Sequence, residues 1–126
     1  MSLNAQTALA AALLLAGFIN TLPVMGLLGG ERLAALYGMD FDDPSLRILM
    51  RHRALLFGLL GGAMIAAAFI PHWRAPMAVA GLVSMLGFIA ITWLEGGGNA
   101  AITRVVRADV IASVPLAVAL LWTQTR

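Results

Sequence analysis

Charge in this chain is confined to a few places, and that restricts what it can fold into. Of eight basic and six acidic side chains, six Arg (Arg32, Arg47, Arg51, Arg53, Arg104, Arg107) and all the acids (Glu31, Asp40, Asp42, Asp43, Glu95, Asp109) fall within 31–53 or 95–109. The remaining sequence is nearly uncharged, and a bilayer crossing takes about 20 apolar residues per helix. Four spans fit, at about 7–29, 52–70, 77–94 and 102–122. With four crossings both charged stretches emerge on one side. The chain then has one charge-balanced polar end and one sparse end, where Arg74 and Arg126 carry the net charge of +2.

The expected fold is all-α: an integral membrane four-helix bundle, up-down-up-down, forming a single domain over residues 1–126. With 61% hydrophobic and 11% charged residues, the chain lies far from soluble domains, which are about a quarter charged. No Cys is present, so disulfides, thiol chemistry and covalent haem attachment are excluded. Clustered, unpaired cations of the kind that bind nucleic acid are also missing. Every basic residue is Arg, which together with the Ala, Gly and Leu bias fits a GC-rich bacterial gene.

The first span is expected to be retained in the membrane, since no Lys or Arg precedes Thr7 as a secretory signal would need. It is predicted to run on through Glu31 to Tyr37 and to stop at Gly38. Asp43-Pro44 is a helix start, a carboxylate cap before a first-turn Pro. The second helix should extend from there to about Ile70. Pro71 to Pro76 reads as a tight turn with an interfacial Trp, and the third helix as Met77 to Leu94. Gly96-Gly97-Gly98-Asn99 connects it to a fourth helix from Ala100 to about Trp122. Six Arg on the short polar connections, against two elsewhere, place the polar end in the cytoplasm of a bacterial inner membrane. Both halves follow a pattern of span, Gly-Gly beside Glu, polar segment and Arg-bearing span, which either marks a two-plus-two repeat or reflects common Gly-rich turns.

Helical phasing sets the expected contacts. Arg47, Arg51, Gly58 and Gly62 share a face of the second helix, while His52 and Arg53 point elsewhere. Gly58-xxx-Gly62 and Gly26-xxx-Gly30 are small-residue motifs that admit a neighbouring helix. Pro23 cannot donate to the carbonyl of Ile19, so the first helix should kink beside Asn20. A kink, an amide and small residues at one depth suggest a cavity, although Asn20 bonding to a neighbouring helix would serve as well. Gly81, Ser84, Phe88 and Glu95 line one face of the third helix. Asp109 lies nearly opposite Arg104 and Arg107, so its partner must come from another helix, Arg51 or Arg53. The expected clamp is Arg51 with Asp109, Glu31 or Glu95, serving either the bundle or a ligand or proton site.

Catalytic parts are missing. There is no nucleophile elbow, and Ser84 and Ser113 have no His nearby in sequence. His52 and His72 are separated by about 30 Å of helix, too far for both to hold one haem. His52 with Glu31, Asp40 or Glu95 matches no recognised metal motif. Gly96-Gly97-Gly98 lacks the Lys and the strand of a phosphate loop.

The segments Gly30-Glu31-Arg32-Leu33-Ala34-Ala35-Leu36-Tyr37-Gly38, Leu49-Met50-Arg51-His52-Arg53-Ala54-Leu55-Leu56-Phe57-Gly58, and Asn99 with Arg104-Val105-Val106-Arg107-Ala108-Asp109 resemble a family of small bacterial four-helix membrane proteins, DoxX-like in layout. The resemblance spans nearly the whole chain and implies quinone or redox partners. Proteins of this layout are sometimes called phosphopantetheine adenylyltransferase. That activity needs a soluble α/β nucleotide fold and a His-x-Gly-His signature, both missing here.

Three functions follow as expectations. The first is binding of an amphipathic ligand (quinone, isoprenoid or lipid) by a polar network of Asn20, Glu31, Arg51, His52, Glu95, Asn99, Arg104 and Asp109. The second is an accessory subunit whose polar end docks a membrane-protein partner. The third is a small transporter acting as a homo-oligomer, with Asp109 or Glu31 coupled to protons. The bilayer is a partner in all three, and no cofactor is specified.

Overall fold

The computed structural model describes residues 4–125; Arg126, counted above with the sparse end, lies outside them. The described residues form five α-helices and no strand: α1 Ala5–Thr21, α2 Gly30–Tyr37, α3 Pro44–Ala67, α4 Pro71–Leu94 and α5 Ala100–Gln124, with a 3-10 helix Leu22–Leu28 continuing α1. Four apolar helical segments, of 24, 24, 24 and 25 residues, are long enough to cross a membrane. At about 1.5 Å per residue each exceeds the roughly 30 Å hydrocarbon core. The protein is a multi-pass membrane bundle. Exposed Trp93 near the polar end, and Trp73 and Trp122 near the sparse end, mark the two interfaces.

The first span departs from expectation beyond Thr21. Pro23 offers no N–H to the Ile19 carbonyl, and the N–H of Leu22 takes that carbonyl instead. The bond spans three residues rather than four, and the helix tightens into 3-10 form as far as Leu28. Gly29, at φ 135°, breaks the chain completely, and α2 is a separate helix rather than an extension of the span. Gly38 ends α2 as predicted, in a left-handed cap at φ 66° whose N–H meets the Ala34 carbonyl.

The expected turn at Pro71–Pro76 is displaced. Pro71 is the first residue of α4, where its missing N–H costs nothing, and Ile70 before it is held extended. The connection is Ala68–Ile70, and Pro76 lies inside α4. Arg74 closes this end: it donates to the Ala68 carbonyl at 2.8 Å and to Gln6 Oε1 at 3.2 Å.

α1 packs most extensively on α3 and α5. Its approach to α3 is a backbone contact. A Cβ on Gly61 would sit 2.7 Å from the Gly17 carbonyl oxygen, and one on Gly17 would sit 2.9 Å from the Gly61 carbonyl oxygen. Gly62 has open space beside it and Gly58 meets the Val24 side chain, so Gly61, rather than the Gly58–Gly62 pair, sets the closest approach. Gly26 and Gly30 fall on either side of the Gly29 break and present no common helix face. Around the Gly17–Gly61 contact lies a core of small and flexible residues, among them Leu9, Leu13, Ala16, Met64, Met85 and Leu116. A second cluster of Leu33, Tyr37 and Phe41 seats α2 and the acidic loop across the polar end.

Overpacking a filled site costs about 1–3 kcal/mol. Gly61→Ala should therefore lower stability in detergent by that amount, because the added methyl would meet the Thr21 hydroxyl and, behind it, the backbone of Gly17 and Thr21, which cannot move aside as a flexible side chain can. Gly62→Ala should stay within about 0.5 kcal/mol of the unaltered protein. Thermal unfolding of the two variants side by side checks the assignment, and equal midpoints would contradict it.

Candidate functional site

The polar end holds its cations in an unexpected way. Among the described residues no Arg stands within ion-pairing distance of a carboxylate; α3 spends its Arg side chains on carbonyls and rings. Arg47 Nη1 donates to the carbonyls of Phe41 and Asp42, at 2.8 and 2.7 Å, and folds the acidic loop onto α3. Arg51 Nε donates to the Leu27 carbonyl at 2.9 Å, satisfying an acceptor at the end of the 3-10 helix. The clamp expected of Arg51 with Asp109, Glu31 or Glu95 is thus replaced by a bond to backbone. Arg53 turns the other way. Its Nη1 donates to the Tyr37 hydroxyl at 2.7 Å. Its guanidinium carbon lies 4.5 Å from the Phe57 ring centroid and 5.5 Å from those of Tyr37 and Phe88. Three ring faces take up the charge of a cation drawn into an apolar setting.

Arg53 forms part of the wall of a cavity of about 230 Å³ where all five helices converge. The end of α1 and the 3-10 helix contribute Asn20 and Pro23, α2 contributes Leu36 and Tyr37, and α4 contributes Phe88. From α5 come Arg104, Ala108 and Asp109. Pro23 matters here because the tightened turn it causes brings Asn20 and the 3-10 segment to the cavity edge.

Two acceptors in the cavity lack a donor from the protein. Asp109 is 8% exposed, and among the described residues its carboxylate receives no hydrogen bond. Arg53 shares the cavity wall with it but makes no ion pair with it. Asn20 is 3% exposed, and its Nδ2 donates back to the Ala16 carbonyl at 2.8 Å. That bond stays within α1, so Asn20 is not tied to a neighbouring helix, and its side-chain oxygen is left without a protein donor among the described residues. One turn beyond Asp109, the buried Ser113 hydroxyl has no hydrogen-bond partner. Buried polar atoms almost always have partners, and because Asp109 and Asn20 border the cavity, a ligand or water there can supply the donors they lack.

Of the residues predicted from sequence, Asn20, Arg104 and Asp109 line this cavity. Asn99 supports it from outside: its Oδ1 accepts from the Ile102 N–H at 2.9 Å, capping α5, while its Nδ2 donates to the Tyr37 carbonyl at 2.7 Å. One side chain thereby starts α5 and pins the end of α2, and with it the ring that holds Arg53. Arg51 and His52 line a separate groove beside Leu27, Glu31 borders another with Asp40 and Asp42, and Glu95 is exposed beyond α4. The structure does not bring these four into the cavity. No group of three metal-ligating side chains occurs among the described residues. The sequence offers Arg53 only as a partner for Asp109 and Phe88 only as part of a face of the third helix, and gives no sign of Tyr37 or Phe57 in the site, though Arg53 and Phe57 are one turn apart on the α3 face that also carries Gly61 and Met64.

Comparison with family models, characterised proteins and solved structures finds no match.

Asn99→Ala removes both the α5 cap and the tie to α2 and should cost about 2 kcal/mol. Asn99→Ser keeps a capping oxygen but cannot reach Tyr37, so it should recover roughly half of that loss. Thermal unfolding midpoints test the ordering, and a Ser variant as unstable as the Ala variant would mean the cap contributes little.

Proposed function

We propose that this protein binds a small amphipathic molecule of the quinone, isoprenoid or lipid type in the cavity at Asp109. The shared chemistry of these molecules is an oxygen-bearing head on an apolar chain. The observation that carries the reading is the Asp109 carboxylate, almost wholly buried, facing a cavity and without a protein donor among the described residues. A hydroxyl donating to Asp109 or Asn20 would supply the missing bond. A carbonyl or hydroxyl oxygen on the same head could accept from the N–H groups of Arg53 that Tyr37 does not use, since a guanidinium carries five. Leu36, Phe57, Phe88 and Ala108 supply the apolar walls. Pockets that enclose a drug-sized ligand run about 300–1,000 Å³. A cavity of about 230 Å³ suits a head of one ring, with its chain lying elsewhere. The resemblance of the sequence to DoxX-like proteins, which implies quinone or redox partners, is consistent with the same class.

We also place the protein in a bacterial inner membrane with the polar end in the cytoplasm, on the strength of its Arg asymmetry. The absence of Cys makes this simple to test. Cysteines introduced singly at the exposed positions Asp42 and His72 should react with a membrane-impermeant maleimide from opposite faces. Asp42→Cys should label in inverted vesicles and His72→Cys in intact cells. The opposite pattern would reverse the topology.

A hydrogen bond to a charged group contributes about 1.5–3 kcal/mol, so Asp109→Leu should weaken binding by about tenfold or more. The same substitution removes an unpartnered buried carboxylate and should raise the stability of the ligand-free bundle by about 1–3 kcal/mol. Native mass spectrometry from membranes should show a small molecule on the unaltered protein and not on Asp109→Leu. A bare unaltered protein whose melting temperature is indifferent to quinones, isoprenoid alcohols and lipids would end this reading.

A further inference from the structure

Arg53 and Phe57 face two spaces at once. On one side is the cavity of Asp109; on the other is a groove of about 240 Å³ between α3 and α4, completed by Leu56, Leu60 and Ser84. The groove opens on the outer surface of the bundle. Leu56 is 50% exposed within it, and Leu59 at 63% and Val83 at 68% flank it. In a membrane, that exposure is to lipid chains. Along the helices, Arg53, Phe57 and Leu60 descend turn by turn from the polar end, and Ser84 sits near the midpoint of α4. The groove therefore leads from the depth of Arg53 towards the bilayer centre, the direction a lipid chain takes when its head is at the interface.

We infer that this groove holds the chain of the bound molecule, that Arg53 and Phe57 form the partition its neck crosses, and that the ligand is a single-chain amphiphile with a neutral, hydroxyl-bearing head. The inference rests on ligand binding at Asp109 and adds the chain site, the lateral route and the head chemistry. The head is neutral because an anion would lie beside the buried Asp109 carboxylate, while the two cations of the wall are committed elsewhere, Arg53 to its rings and Tyr37 and Arg104 to the exposed side of α5. It carries an O–H because the cavity offers Asp109 and Asn20 as acceptors without donors. One chain is accommodated rather than two, because the groove is a single small trough rather than a broad face. Arg53 can serve as a hinged partition because rings hold its charge as well as the one Tyr37 bond, so its side chain can shift while remaining over an aromatic face.

The test uses two probes, 4-methylphenol, which has a head and no chain, and 4-octylphenol, which has both, titrated against the full-length protein in one detergent. The unaltered protein should bind 4-octylphenol about tenfold more tightly than 4-methylphenol. Ser84→Trp, which fills the groove from α4, should abolish that advantage while leaving the Kd of 4-methylphenol within about twofold. Leu56→Trp fills the groove from α3 at an exposed position and provides the same comparison should Ser84→Trp disturb the bundle. A tenfold advantage that persists in Leu56→Trp overturns the chain site while leaving the head site standing. If the unaltered protein binds neither phenol, or if Asp109→Leu weakens neither, the head site falls and the chain site falls with it.

Discussion

Pro23 has no N–H, and most of the polar end follows from how the chain accommodates that lack. The Ile19 carbonyl takes the N–H of Leu22, the helix tightens, and seven residues continue in 3-10 form before Gly29 breaks the chain. A 3-10 end leaves carbonyls unpaired, and in or near hydrocarbon an unpaired carbonyl is costly. Arg51 reaches across from α3 to answer the one at Leu27. Beyond the break α2 is free to turn back over the bundle, where Leu33, Tyr37 and Phe41 seat it. The cavity is the space this lid covers, edged by the residues on either side of the tightened turn.

A count of charges at the polar end suggests ion pairs, and the structure contains none among the described residues. Backbone explains the difference. A broken span, a loop and a helix end expose acceptor carbonyls at Leu27, Phe41, Asp42 and Ala68, and Arg can serve them because its donors fan out from a plane. Arg47 closes the loop, Arg51 the 3-10 end, and Arg74 the turn at the opposite face. Arg53 has no such carbonyl and is stabilised instead by three rings and a phenol. Each of these four is occupied locally, and Arg104, which also borders the cavity, lies nearly opposite Asp109 around α5 and is exposed, so Asp109 is left without a cationic partner.

Features set by neighbouring residues could be read from the sequence. Asp43-Pro44, Gly38 and Asn99 end or start helices because of their own side chains and backbone, and each does so in the structure. The four spans followed from length and apolarity alone. Features set by packing could not be read. The inward face of α3 is decided by Gly61 meeting the backbone of Gly17, so phasing on Gly58 and Gly62 directed attention to Arg51 instead of Arg53. Running the first helix on through Pro23 and Gly29 to Tyr37 makes Glu31 a continuation of the span that carries Asn20, a relation the break dissolves. Pro71 was read as part of a turn although Pro suits the first position of a helix just as well, and the choice depends on where α3 ends. Asn20 and Asp109 are legible because a polar group in an apolar run stands out; the roles of Phe57 and Phe88 are not, because nothing in an apolar run tells a ring that packs from one that faces a cation.

The fold itself has no need of a carboxylate at position 109. Ala112 and Leu116 occupy the same inward face of α5, and a small apolar residue would fill the place equally well. The carboxylate carries a desolvation cost that no protein donor among the described residues offsets. A molecule whose hydroxyl supplied the missing donor would relieve that cost as it bound, and its chain would add apolar contact along the lipid-facing groove. Affinity and stability would then be two readings of one free energy, with the ligand-free bundle the less stable form by mass action. In that case the charge-balanced end is mostly scaffold. Arg47 and Arg51 hold the loop and the broken span together, and Asp109, the one buried acid among the described residues, is the group a ligand would address.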